Sequence, residues 1–221
     1  MRYSWNWGSA LFGAAGIVFA AGCATSHTFK VDAISNPEVE KVGSYHIVTG
    51  NSRIAEEDPQ FQEMAAYVKT ALSGKGYHEA PNAEEAELVI EVDYGTNRPQ
   101  IDFKTGAGDS GRGLDRTGRT YTGRSRNVSI ERDETEYIPV TTYEKYLKLI
   151  AWENQDGVEP EDQTQVWQVT VKTKDDQDDM EKYLPLLAAA SIAYMGEDTE
   201  SQEKIVLKET DDDVVFVKKG M

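Results

Sequence analysis

The chain reads as an α+β protein: a mainly antiparallel sheet with two helices packed on one face and a long Arg/Gly-rich loop inserted between strands. Three observations predict this. Residues 86–94 alternate, with Leu88, Ile90, Val92 and Tyr94 on one side and Glu87, Val89, Glu91 and Asp93 on the other, as a strand buried on one face requires. Phe61, Met64, Ala65, Val68, Ala71 and Leu72 recur at helical spacing. Two β-type runs, 142–152 and 165–172, flank a polar loop, and no regular βαβ alternation accompanies them. With 221 residues, 39% of them hydrophobic, the chain is long enough for one cored domain without a disulfide framework or a metal cluster. The balance of 23 basic against 39 acidic side chains, a net −16, argues against a nucleic-acid binder, whose affinity rests on neutralising phosphates with Lys and Arg.

Each element has its own local reason. The first strand falls in Thr25–Ile34, where Phe29, Val31 and Ala33 alternate, and the second in Tyr45–Thr49, β-branched and aromatic between Gly43 and Gly50. Asp58-Pro59 has the form of an N-cap followed by proline at the first helical position, and Gly74 and Gly76 stop the helix that starts there. After the strand at 86–94, the runs 142–152 and 165–172 pair as a long-looped hairpin, with Trp167, Val169 and Val171 sharing a face and 153–162 as the loop. Asp178 and Glu181 have the spacing of a capping box, and Met180, Tyr183, Leu184, Leu187, Ser191 and Tyr194 form a helical stripe ending at Gly196. Pro185 demands either a kink or a regular helix that starts near it, with the preceding turn separate. Residues 204–209 and 214–218, on either side of Asp211-Asp212-Asp213, predict a terminal hairpin.

The N-terminus carries a second kind of signal. From Tyr3 to Phe29 there is no Asp, Glu, Lys or Arg; Arg2 precedes the apolar run 11–20, and Ala20-Ala21-Gly22 stand directly before Cys23, the one cysteine of the chain. This is the layout of a secretory signal peptide, and Ala21-Gly22-Cys23 resembles the bacterial lipobox. The resemblance implies a signal peptide over 1–22, a lipidated tether over 23–28 with acyl chains on Cys23, and a single domain over 29–221 with a flexible insertion at about 97–140. Each buried methylene of such a chain is worth about 0.8 kcal/mol. Ala24 is not the Asp linked to inner-membrane retention, so the resemblance points to the outer membrane, with the domain facing the periplasm or the surface. Loss of Arg2 with the signal leaves a side-chain charge of −17. An uncleaved membrane anchor, short for a span of about 20 residues, and ordinary secretion with a free thiol are the other two readings.

Residues 97–132 hold eight basic side chains against four acidic ones, and seven of the nine arginines of the chain. The flanks 24–96 and 133–221 carry −8 and −13, so a basic island sits between acidic neighbours. Guanidinium groups suit phosphates and carboxylates. Arg112, Arg116, Arg119, Arg124 and Arg126 are therefore candidate anion-binding residues, for an anionic glycolipid, cell-wall carboxylates or an acidic envelope protein; the alternative is a solvated loop lying against its own acidic domain. Gly106-Ala107-Gly108-Asp109-Ser110-Gly111 spells G-x-G-x-x-G, but it neither closes a strand nor opens a helix as dinucleotide binding needs.

Other chemistry is thin. His27, His46 and His78 lack metal-motif spacing, no G-x-S-x-G turn exists, and the Asp runs at 175–179 and 211–213 lack the calcium-loop pattern and suit helix starts instead. Neither a metal nor a cofactor is expected. Tyr143, Tyr146, Trp152 and Trp167 read as core before they read as a sugar platform. The segments Ser44-Tyr45-His46-Ile47-Val48, Ala71-Leu72-Ser73-Gly74-Lys75-Gly76-Tyr77 and Ala83-Glu84-Glu85-Ala86-Glu87-Leu88-Val89-Ile90 resemble bacterial envelope lipoproteins of the domain of unknown function 4136 type, over about residues 24–170. What that resemblance implies is compartment and fold; it supplies no catalytic residues. The expectation is a lipid-anchored envelope protein with a non-enzymatic binding or scaffolding role, attached to the membrane through its lipid. An envelope hydrolase is the alternative.

Overall fold

A computed structural model describes residues 25–39, 43–105, 137–155 and 163–220. Among these residues eight strands form one mixed sheet: β1 (Ser26–Ser35), β2 (Ser44–Thr49), β3 (His78–Glu79), β4 (Leu88–Thr96), β5 (Gln100–Thr105), β6 (Tyr137–Glu153), β7 (Gln165–Asp175) and β8 (Glu203–Lys208). Their order across the sheet is β3-β2-β4-β6-β7-β1-β8, with β5 paired to the first residues of β6. The described pairings are antiparallel except those of β2 with β3 and β4, so the chain makes a parallel crossover from β2 to β3 through α1 (Pro59–Gly74) and then passes β2 to reach β4 on its other side.

Alternation decides which face is covered. In β1, His27, Phe29, Val31 and Ala33 are buried while Ser26, Thr28, Lys30, Asp32 and Ile34 are exposed. The same phase runs through Leu147, Leu149 and Ala151 of β6 and Trp167, Val169 and Val171 of β7, which join the helices in one core. Asp58 caps α1 by accepting from the backbone N–H groups of Gln60 (2.9 Å) and Phe61 (3.4 Å), with Pro59 at the first helical position as the sequence predicts. α2 (Leu184–Ser191) is buried on every side because it touches β1, β6, β7 and β8 as well as α1 and α3. Pro185 lies in its first turn, and a separate 3₁₀ turn over Glu181–Tyr183 precedes it, the second of the two arrangements that proline allows.

Three expectations change. Among the described residues the α-helices number three, not two: residues 214–218 lie in α3 (Asp212–Lys219), so only 203–208 of the expected terminal hairpin is a strand, and it pairs with β1. Asp212 and Asp213 in the first turn and Lys218 and Lys219 in the last complement the helix dipole, and Val214 and Val217 turn one buried edge to the core. No side chain caps α2, so Asp178 and Glu181 form no capping box; Asp179 accepts instead from the Lys182 N–H at 3.2 Å. Finally, the segment expected as a loop over 97–140 is a strand pair at both ends, Gln100–Thr105 against 137–142. The strand β1 begins at Ser26, inside the expected tether. Cys23, the signal region 1–22 and residues 106–136, with all five candidate arginines, lie outside the described residues.

Leu187 of α2 is fully buried at the centre of this packing. Leu187→Ala is expected to lower unfolding stability by about 2–5 kcal/mol, through lost transfer energy and a residual cavity, read from urea midpoints.

Candidate functional site

Two places on the described residues gather charge. One lies inside, at the end of the sheet where β1 begins and β7 ends. Lys145 stands in phase with Leu147 and Leu149 and therefore points inward, where it is fully buried. Its ammonium donates to the Gln177 carbonyl and sits 4.6 Å from the centroid of the Tyr183 ring and 6.0 Å from that of Tyr143. An ammonium at such a position needs a carbonyl, π faces and nearby carboxylates to replace water. Burial pushes its pKa below 10.5, and the charges of Asp175, Asp178 and Asp179 oppose that.

Tyr183 closes the cluster. Its hydroxyl donates to Asp175 Oδ2, so the 3.1 Å contact with His27 Nδ1 is a hydrogen bond donated by the imidazole. Nε2 is then the bare nitrogen, buried and without a partner among the described residues. Burial, then the charge of Lys182, holds His27 below its ordinary 6.5. Burial pushes the Asp175 carboxyl up, but hydrogen bonds from Tyr183 and the Asp176 backbone, with the Lys145 charge, outweigh it and hold the group below 3.8. Tyr183 is pushed up by burial and by Asp175. Four elements meet here: β1, β6, the end of β7 and the turn before α2. Apart from His27 Nε2 the groups are spent on one another, and the network ties the start of the helical layer to the sheet.

The second place is the face that the helices leave bare. Lys204 of β8 lies directly opposite Lys30 of β1, and Lys30 directly opposite Lys172 of β7, so three lysines stand in one row across three strands. Neighbouring strands are about 4.8 Å apart. Like charges in directly opposed positions are destabilising by a few tenths to about 1 kcal/mol. None of the three has an ion pair with a described residue, whereas Lys174 beside them is held by Asp102 (3.6 Å) and Gln100 (3.0 Å). The four lysines, with Thr28, Thr173 and Glu144, line a shallow depression of about 210 Å³.

The row continues past Lys172 to Tyr146, which covers Gly95; a β-carbon at that glycine would lie 3.3 Å from the tyrosine hydroxyl. Of the four aromatics read as core, Trp167 is fully buried there. Tyr146 and Trp152 instead lie half-buried on the open face, bonded to Asp93 (3.3 Å) and Glu91 (3.0 Å). That face is thus acidic towards β4 and basic towards β8. Sequence reasoning missed both places. A lysine in phase with Leu147 and Leu149 was the available signal for the first; the second exists only through the register of strands remote in sequence.

Among the described residues no group of three or more His, Cys, Asp or Glu side chains is arranged to hold a metal ion, and no helix is long and apolar enough to cross a membrane. No family model matches the chain, and no curated protein matches it. Among solved structures, the chain is similar to a PDZ domain protein from Parabacteroides distasonis, at 8% identity and a TM-score of 0.44, over 83% of this chain and 39% of that one. It thus spans about two fifths of that protein's length. It is also similar to PelC from Paraburkholderia phytofirmans, in two dodecamer structures: 12% identity and a TM-score of 0.34 over 76% of this chain and 98% of that one, and 10% and 0.33 over 79% and 100%. Likenesses at these scores carry no argument about function.

The buried cluster generates a pH dependence. His27 has a lowered folded pKa, so below 6.5 the unfolded chain takes up a proton that the folded one refuses, and stability falls as pH drops from that value towards the folded pKa. Asp175, also lowered, adds stability that is present above 3.8 and is lost as pH falls further. Urea midpoints from pH 7.5 to 5 are expected to decline in the wild type and to decline less in His27→Phe. Equal slopes would remove His27 as a cause.

Proposed function

We propose that the chain is a lipid-anchored bacterial cell-envelope protein that binds or scaffolds an anionic envelope component through its open sheet face, without catalysis of its own. The observation that carries this reading is the row Lys204–Lys30–Lys172, three cations in opposed positions on a protein of net −16, with no ion pair among the described residues. A fold that keeps such a row bears a cost that an anionic ligand reverses. Phosphates or carboxylates spaced along a glycolipid headgroup match cations repeated every strand, at about 4.8 Å. The lipobox-like Ala21-Gly22-Cys23 and the resemblance to envelope lipoproteins of the domain of unknown function 4136 type support an outer-membrane tether through Cys23. Arg112, Arg116, Arg119, Arg124 and Arg126 enter as further anion contacts on sequence alone. Tethering confines the domain to two dimensions and so raises its effective concentration near membrane or cell-wall partners.

Replacing Lys30, Lys172 and Lys204 together with Gln is expected to weaken retention on immobilised anionic glycolipid at least tenfold, to flatten its salt dependence and to raise the denaturation midpoint. Unchanged retention would contradict the reading. For the tether, wild-type chain is expected to incorporate labelled palmitate and to fractionate with the outer membrane, and Cys23→Ala to do neither.

A further inference from the structure

The strand pair that begins the 97–140 segment stands outside the helical layer. β6 starts pairing with β7 at Tyr143 opposite Asp175, and its six residues before that point, 137–142, pair with β5 alone. At about 3.4 Å per residue this two-stranded ribbon extends about 20 Å beyond the sheet. Its direction follows from register. Phe29 lies opposite Thr173, and Thr173 opposite Lys145, so the start of β1 and the start of β6 run to the same end of the sheet. Ser26 is three residues beyond that shared row and Tyr137 is eight. The last described pair of the ribbon, called its tip below, therefore overshoots Ser26 by five residues, about 17 Å.

The side chains at the tip are apolar and bare. Ile101, Phe103, Tyr137 and Ile138 are 70%, 65%, 63% and 48% exposed, and Pro139 is exposed beside them. Ile101, Phe103, Pro139 and Tyr137 continue the inward phase of Leu147 and Leu149, and Ile138 faces the opposite way, on the side of Asp102 and Thr142. Polar bonds hold the ribbon's base: Thr142 Oγ1 donates to Asp102 at 2.8 Å, and Lys174 reaches Gln100 and Asp102.

We propose that this ribbon tip is a second membrane contact, immersed in the interfacial zone of the bilayer. The inference rests on the Cys23 tether proposed above. Three peptide units separate Cys23 from Ser26, a reach of about 10 Å, which is shorter than the overshoot of the ribbon. With the strands directed at the bilayer, acyl chains on Cys23 bring the tip to its surface, because the tip projects farther than the tether is long. Four of the five exposed apolar side chains share one face, which can lie on the bilayer surface while the face of Asp102 and Thr142 stays in water. The open backbone edges of a two-stranded ribbon are costly in hydrocarbon, so the contact stops at headgroup depth, where Tyr and Phe rings are stable.

The test uses the acylated mature chain carrying Phe103→Cys, labelled on its thiol with an environment-sensitive fluorophore, in vesicles of phosphatidylethanolamine and phosphatidylglycerol. Acylation blocks Cys23, so one labelled thiol per chain is expected, with blue-shifted emission that falls several-fold when spin-labelled lipid is included. Glu84→Cys, before β4 at the opposite end, is expected to stay unquenched. One labelled thiol with an unquenched Phe103→Cys label would overturn the membrane contact while leaving the tether standing. A blue shift that grows with protein concentration and ignores spin-labelled lipid would assign the ribbon to a second copy and overturn it too. Two labelled thiols per chain would overturn the tether itself, and the inference with it.

Discussion

Burial of one sheet face under three short helices is the constraint from which the other features follow. Strand alternation sends Phe29, Leu147, Leu149, Trp167 and Val169 to the same side, and that side must be covered. The cover is small. α1, with 16 residues, is about 24 Å long and α2, with 8, about 12 Å, whereas the 17 residues of β6 span almost 60 Å. The helical layer shields the middle of the longest strand and ends before its start. What lies beyond, from Thr142 back to Tyr137, pairs with β5 alone, and no described helix lies over it.

Lys145 marks the seam. It is the first inward position at which the core row turns from aliphatic to charged, and it is also where the turn before α2 returns to the sheet. The carbonyl of Gln177, the Tyr183 ring and three nearby carboxylates replace the water that the ammonium loses. Removing one member of such a set leaves the others buried and uncompensated, which is why the cluster acts as a fastening more than as a surface. The opposite face has no such closure. Lys30, Lys172 and Lys204 stand opposite one another, and none forms an ion pair with a described residue, so their electrostatic demand points outward.

Much of this architecture was legible. The strand at 88–96 alternates cleanly, α1 has both its cap and its period, and β6 with β7 form the hairpin that their aromatic and β-branched runs predict. α3 was not legible because Val214-Val215-Phe216-Val217 is short and fits either period; Asp212 and Asp213 before it, Lys218 and Lys219 after it, and the burial of Val214 and Val217 decide for helix. β5 was hidden because Gln100–Thr105 follows Pro99 in a polar stretch and is a strand only through its pairing with β6. The lysine row depends on β8, β1 and β7 lying side by side, a fact of topology that no local pattern carries. His27, Asp175 and Tyr183 likewise converge from three separated segments, and only the lysine among Leu147 and Leu149 announced them.

The central claim is that the sheet face left open by the described residues is accessible in the isolated protein and occupied in the envelope. Lysine acylation footprinting tests it directly, by mass spectrometry of Lys30, Lys172 and Lys204 in purified protein and in intact envelopes, with Lys218 on α3 as an internal standard. The account predicts high reactivity of the three in the purified chain and strong protection in the envelope, against an unchanged Lys218. Equal reactivity in both settings would contradict it.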